Sequence, residues 1–389
     1  MASASGTTAQ GPGYMFQMPN CANFLLGCYY RAGWFPKSGL GPSFAQTIRF
    51  LSVLVSPHQL TSILPHFMSS SRNETISASS GGFGAVMGIK IFDCYIYPLK
   101  SGGSIRVENL ELTQRGPKDD RLWLLVQDQG PDRGKFITQR DKGCEKLALV
   151  QAFPDVSGNM KFSAPGGQEL VVSQDELSCY DGFVHVWGDD CAAIDAGNVA
   201  AHWFSNYIRK PCRLVKFPDD FIRSTDAAYS RQGDHVSFAD GFPLLVTNVA
   251  SLDKLSKHLP PNIEIEMERF RPNIVLEGAE PFEEDVIREI KIGDVVLEFV
   301  RPCSRCKITT ISQAEGASTS DEPLRTLGRV RRGKGDGLEG VFFGQNAIPR
   351  KLGVIKVGDN VEILSKRPLH PALKNGGIGA QGTIDLPKR

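Results

Sequence analysis

No aspartate or glutamate occurs before Glu74, although the same stretch carries Arg31, Lys37, Arg49 and Arg72. An acid-free, Ser-rich and sparsely basic leader suits a targeting segment or a disordered extension, taken here as residues 1–87. A long apolar run is lacking too. The most apolar part, FAQTIRFLSVLVSPHQLTSILPHF (44–67), is interrupted by Arg49, Pro57 and Pro65, so it falls short of the roughly 20 apolar residues of a membrane helix. Membrane attachment through the leader stays open. Net charge is nearly absent, +1 from 44 basic and 43 acidic residues, which excludes the broad cationic field of a nucleic-acid binder. Any anion site must be local. No G-x-G-x-x-G stands between a strand and a helix, so no nicotinamide or flavin site is written in the chain.

Cysteine is scarce: nine in 389 residues, an odd number without the dense spacing of a disulfide scaffold, as expected in a reducing compartment. One close pair exists, Cys303 and Cys306 in FVRPCSRCKITT (299–310). A structural zinc would need a second pair or neighbouring histidines, and the nearest are His258 and His370. A thioredoxin-type pair should open a helix, whereas this one follows a strand and enters β-branched, strand-like KITTI. Two buried structural cysteines are the plain alternative. Against it stand Arg301 and Arg305, cations that would favour a thiolate, the nucleophilic and metal-binding form. No cysteine follows Cys306, so the chain has no ligand set for an iron–sulfur cluster after it.

What is present begins after the linker SASSGGFGAV (77–86). Short apolar runs at 89–102, 120–128, 134–140, 147–153, 182–188 and 242–248, separated by Gly, Asp and Pro, predict strands and a β-rich α+β fold whose sheets close into barrels. Helical periodicity from Asp195, its expected N-cap, through Ile208 to Pro211, and from Ser251 to Pro260, predicts two amphipathic helices. IKIGDVVLEFV (290–300) and IKVGDNVEIL (355–364) both read as hairpins around a Gly-Asp turn, with 312–339 as the long loop between them. Basic groups recur where strands run into loops: Lys100 with Ser101, Arg121, Arg140, Arg269 and Arg271. Singly these are surface charges; together they suggest an anionic ligand over a barrel mouth.

In order along the chain, YPLKS, DRLW, FRPNIVLEG, IGDVVLEFVRPCSRCKITT and VFFGQNAIP resemble the MOSC family, its mitochondrial amidoxime-reducing members in particular. The resemblance implies an N-terminal barrel-like domain at 88–215, a MOSC barrel at 235–366, a tail at 367–389, and a molybdenum–molybdopterin cofactor (Moco) between the domains. It assigns the metal thiolate and catalytic role to Cys306 and a supporting role to Cys303. It assigns cofactor binding to Lys100, Ser101, Arg121, Arg271, Asn273, Ser304 and Arg305, with Arg140, Asp240, Gln345 and Asn346 as weaker carry-overs. It further implies reduction of N-hydroxylated compounds in mitochondria. Electrons would come from a cytochrome b5-like haem carrier and an NADH-dependent flavoprotein reductase. A departure is SGGS after Lys100, where many relatives carry another cysteine or basic residue. The alternatives are a non-catalytic cofactor-binding module and a sulfur-carrier module, the latter expected to need a pyridoxal-phosphate domain for which the upstream residues leave no room.

Overall fold

The structure, a computed structural model, describes residues 88–373; the leader, the apolar run at 44–67 and the tail beyond 373 lie outside them. The chain enters with Lys90–Ile96 (β1), in which Ile91, Cys94 and Tyr95 are buried. It then supplies Trp123–Gln127 (β2), Cys212–Lys216 (β3), Leu244–Asn248 (β4), Ile274–Glu277 (β5), Ile287–Ile292 (β6), Val295–Ser304 (β7), Leu338–Lys351 (β8) and Val361–Lys366 (β9). The main sheet runs β1-β5-β4-β8-β7-β6-β9 and is antiparallel except for β4 against β5. Its ends approach each other, since Lys90 bridges Asn360 and Val361 N donates to Ile89 O at 2.8 Å. The sheet therefore curls around a core of Ile91, Val246, Ile274, Ile290, Leu297 and Ala347. The first strand of the N-terminal half thus belongs to the sheet of the C-terminal half.

Residues from Trp123 to Phe238 build a second body. β2 and β3 pair antiparallel, and a helix, Gly197–Ile208 (α1), sets Ala200, Phe204 and Ile208 against Trp123 and Phe162. The fold is α+β and strand-rich, as expected. The remaining helices among the described residues are Val249–Ser256 (α2) and Leu324–Val330 (α3). None is long and apolar enough to cross a membrane.

Several local expectations change. α1 starts after Ala196, because Asp195 is held by Arg213, although its carboxylate still accepts Gly197 N at 2.7 Å. α2 is capped by Asn248, which accepts Ala250 N at 3.1 Å. GKFITQR makes only isolated bridges, since Gly134 has φ +84° and Asp141 captures Thr138 N. The run at 147–153 splits into the end of a 3-10 turn (Glu145–Leu149) and a strand (Gln151–Pro154). IKVGDNVEIL is no hairpin: Val354–Lys356 pairs with Asn109–Thr113, whereas β9 pairs with β6. Its Gly358 N donates instead to Ile91 O at 2.8 Å, which sends the two strands to different partners. KITT forms a 3-10 turn rather than a strand. There Thr309 and Thr310 donate their hydroxyls to the carbonyls of Cys306 and Lys307, at 3.0 and 2.9 Å, a local bond that competes with strand pairing.

Candidate active site

Where β7 ends, its pairing with β8 slips twice, between Phe299 and Arg301 and between Pro302 and Ser304. Such bulges re-aim side chains. Here they deliver Cys303 to Cys306 into a cleft of about 850 Å³, open mouth included. Gly340, across from this turn at φ +129°, keeps the strands close: a Cβ there would come 2.7 Å from Ser304 Oγ. Cys306 is exposed on the wall, while Cys303 is half-buried and accepts Arg305 Nη1 at 2.7 Å. Burial pushes the Cys303 thiol up despite that guanidinium. Arg301 is elsewhere, 3.5 Å from Asp226 and 4.6 Å from the Tyr229 ring centroid. The expectation that both arginines favour a thiolate is thus corrected for Cys303: one cation points away, and burial outweighs the other.

Opposite the thiols, the loop after β1 and the turn before β2 are stitched together by Lys100 N to Trp123 O at 2.8 Å and Arg121 N to Tyr97 O at 2.8 Å. Buried Asp120 is their anchor. It accepts Tyr97 N at 2.8 Å, Asn273 Nδ2 at 3.1 Å and Arg121 Nη1 at 2.6 Å. The Tyr97 ring has two guanidinium carbons, of Arg121 and Arg271, each 4.2 Å from its centroid. This contact orients both cations in a largely dry wall. Arg271 Nη1 also donates to Gly102 O at 2.7 Å. Burial, and then the neighbouring Arg121, bring the Arg271 pKa down to about 10.

Lys100 is buried, and burial lowers its pKa, although Nζ donates to Asp240 Oδ1 at 2.6 Å and Phe238 O at 2.7 Å. The cleft walls work against a charge on Asp240. Lys100, with a hydrogen bond from Trp187 Nε1 at 3.1 Å, more than offsets them and holds the carboxyl well below the usual range. Five cations line the cleft (Lys100, Arg121, Arg140, Arg271, Arg305) against one lining carboxylate, Asp240. Among the described residues no carboxylate stands within ion-pair distance of Arg140, Arg271 or Arg305. Arg305 Nε is buried with no acceptor at all. A cluster of this kind attracts an anion rich in acceptors.

Lys100, Ser101, Arg121, Arg140, Asp240, Arg271, Asn273, Ser304, Arg305, Cys306 and Asn346 all line this one cleft. Asn273 spends its amide internally, on Tyr95 O, Asp120 and Leu245 N, so it positions the wall. Gln345 is the exception among the expected residues. On β8 its side chain is fully buried, donating to Asp285 Oδ1 at 2.8 Å and accepting Arg367 Nη2 at 3.0 Å, away from the cleft that its neighbour Asn346 lines. Sequence reading missed Tyr97, Asp120 and Trp187. Only Asp120 left a signal, as the acid beside Arg121.

Strain gathers at the same place. Ser101, Arg121, Trp187 and Arg271 are four of the nine non-glycine residues with left-handed backbone among the described residues, and all four line the cleft. Each such residue costs roughly 1–3 kcal/mol, a pattern characteristic of ligand-holding sites.

Two comparisons bear on this geometry. Residues 88–211 match the MOSC N-terminal beta barrel domain and residues 233–362 the MOSC domain. The "Mitochondrial amidoxime-reducing component 1" of Mus musculus is 32% identical over 290 residues, 70% of this chain and 81% of that one. The "Mitochondrial amidoxime reducing component 2" of Homo sapiens is 31% identical over 282 residues, 69% and 81% of the two chains. The solved YUAD protein from Bacillus subtilis aligns over 71% of this chain and 94% of that one at 11% identity, with a TM-score of 0.33, too distant to add weight. With both domains matched in order and relatives above 30% identity over most of their length, the chain belongs to the MOSC family, alongside the mitochondrial amidoxime-reducing components.

Proposed function

We propose that the cleft holds a molybdenum–molybdopterin cofactor and that the protein reduces N-hydroxylated compounds such as amidoximes, hydroxylamines and N-oxides. The observation that carries this reading is a cationic wall, largely without paired anions, facing an exposed thiol in one cleft. The residues fit the group. Arg140, Arg271 and Arg305, with the orphaned Arg305 Nε, are donors for a phosphate and a polar heterocycle. Cys306 is the soft ligand a molybdenum centre takes. As the family resemblance implies, a molybdenum at Cys306 would take its other ligands from the pterin and from oxygen; no cluster of three or more His, Cys, Asp or Glu occurs among the described residues.

Bound there, the cofactor would supply two-electron oxygen-atom chemistry. The chain's own contribution is placement. Asp120 and Tyr97 fix Arg121 and Arg271. The Lys100–Asp240 pair sets one side of the mouth, and Arg305 ties the thiol turn to Phe270 O at 2.7 Å. Reduction of an N–O bond consumes two electrons and two protons and releases water. The donor in this reading is an external chain, a cytochrome b5-like haem carrier with its NADH-dependent flavoprotein reductase, and the location is the mitochondrion, as for the named relatives.

The test is molybdenum quantification on the purified protein together with amidoxime reduction by NADH, with and without carrier and reductase. Stoichiometric molybdenum and turnover only with the full chain are expected. Folded, molybdenum-free and inactive protein would overturn the reading, and molybdenum-replete but inactive protein would leave a storage or delivery module.

A further inference from the structure

The tip of a small hairpin, Val184–Val186 paired with Asp189–Cys191, carries Trp187 to the cleft. We infer that Trp187 is a specificity-determining residue, an aromatic platform at the cleft mouth that selects ligands with a flat, conjugated group next to the reacting atom. This deepens the proposed function and rests on its substrate class. Three independent observations carry it. First, Trp187 is a large aromatic left 51% exposed while lining the cleft that Lys100, Arg140 and Cys306 also line. An apolar surface of that size is ordinarily buried, and where it is not, a ligand or partner commonly uses it.

Second, the indole is held. Its Nε1 donates to Asp240 Oδ1 at 3.1 Å, and Asp240 is itself held by Lys100 at 2.6 Å. The Arg140 guanidinium carbon lies 4.5 Å from the ring centroid, and Phe136 meets the ring edge-on at 5.2 Å. A side chain needed only as a turn residue would require none of these three partners. Third, Trp187 has φ +58°, a conformation that glycine, its own neighbour at 188, adopts without penalty. A bulky residue kept in a strained place and pinned over a cleft is the arrangement of a ligand clamp.

Chemistry then narrows the ligand. Arg140 stacks on the ring and discourages a second cation there, while the Asp240 carboxylate that accepts the indole N–H at 3.1 Å discourages an anion along that edge of the ring. An uncharged planar group meets neither obstacle and gains dispersion and offset stacking on the indole. An aliphatic analogue of the same reacting group gains little of either.

The experiment compares benzamidoxime with acetamidoxime on the full-length, cofactor-loaded protein. Binding is read by calorimetry, independently of turnover, for the wild type, Trp187→Phe and Trp187→Ala. The wild type should bind benzamidoxime about tenfold more tightly than acetamidoxime, the scale of one aromatic stacking contact. Trp187→Ala should bring that ratio close to unity when both affinities are referred to the molybdenum-loaded fraction, and Trp187→Phe should restore most of it. An absent preference in the wild type, or one that survives in Trp187→Ala, would overturn the assignment. If the wild type binds both compounds with the expected ratio yet reduces neither, the reductase reading fails while the platform stands.

Discussion

Adjacent residues on β8 open into two different polar regions. Asn346 faces the cleft, where Arg140, Arg271 and Arg305 have no carboxylate within ion-pair distance among the described residues. Gln345 faces a buried network in which Arg331 meets Asp285 at 2.7 Å, Gln345 bridges Asp285 to Arg367, and Glu284 accepts Ser251 Oγ at 2.9 Å. Both regions bury charge. In the second the main acid and base are satisfied by each other, which is how a fold tolerates ions in its interior. In the first, burial and then the repulsion of the neighbouring Arg121 lower the pKa of Arg271. Cations concentrated without partners mark a binding site, and paired ones mark architecture.

The largest effect expected on this contrast is at the thiol pair. Cys306→Ala should reduce turnover to background, because it removes the exposed thiol that would ligate the metal. Cys303→Ser should keep appreciable activity, since Cys303 contributes a hydrogen-bond acceptor to Arg305. A reversed ranking in a single-turnover assay would exchange the two roles.

Breaking the network should act on stability instead. Arg331→Met leaves Asp285 buried without the cation that now lies 2.7 Å away, a loss of about 3–5 kcal/mol. Urea unfolding should show the fall in midpoint, while molybdenum per folded molecule stays constant. Loss of molybdenum at unchanged stability would mean that the network communicates with the cleft.

The opposite signature is expected on the cleft side. Arg271→Ala removes a charge-assisted donor from the anion wall, about 1.5–3 kcal/mol of cofactor affinity. It also relieves repulsion with Arg121, so the apo protein should lose little stability. Molybdenum content under limiting cofactor should drop; equal occupancy in mutant and wild type would place Arg271 in the fold rather than in the site.

How far this contrast can be read in a sequence depends on which face a residue takes. Lys100, Arg121, Arg271 and the 303–306 motif were legible, because each is a polar group set where an apolar run ends, and ordered motifs tie them together. Gln345 and Asn346 were not separable: they are neighbours, and a strand turns successive side chains to opposite sides. Tyr97 and Trp187 were hidden for another reason. Tyr97 meets Arg271 across 174 positions of chain, and Trp187 reaches Asp240 from a hairpin tip; neither contact leaves a local pattern. The strand-like appearance of KITT failed because two threonine hydroxyls donate back to the turn, an option that β-propensity ignores.

The smallest effect sharpens the comparison through pH. Burial, reinforced by the neighbouring Asp285, pushes Glu284 from its ordinary 4.5 up to about 8, and one of its oxygens has no hydrogen-bond partner. In the folded protein the acid therefore keeps its proton at neutral pH, whereas in the unfolded chain it is ionised there. The native state binds the extra proton, so this group's contribution to stability is complete below about pH 4.5. It declines as pH rises and is gone above about pH 8, with a slope of at most about 1.4 kcal/mol per pH unit. Glu284→Gln retains a neutral side chain of similar shape and still offers an acceptor to Ser251. Its unfolding free energy should therefore lack that decline, and the two proteins should diverge progressively between pH 5 and pH 8 in urea titrations. Parallel curves for the two across that range would show that Glu284 is ionised in the folded protein, and that the network behind Gln345 holds an anion whose charge Arg331 must share between two carboxylates.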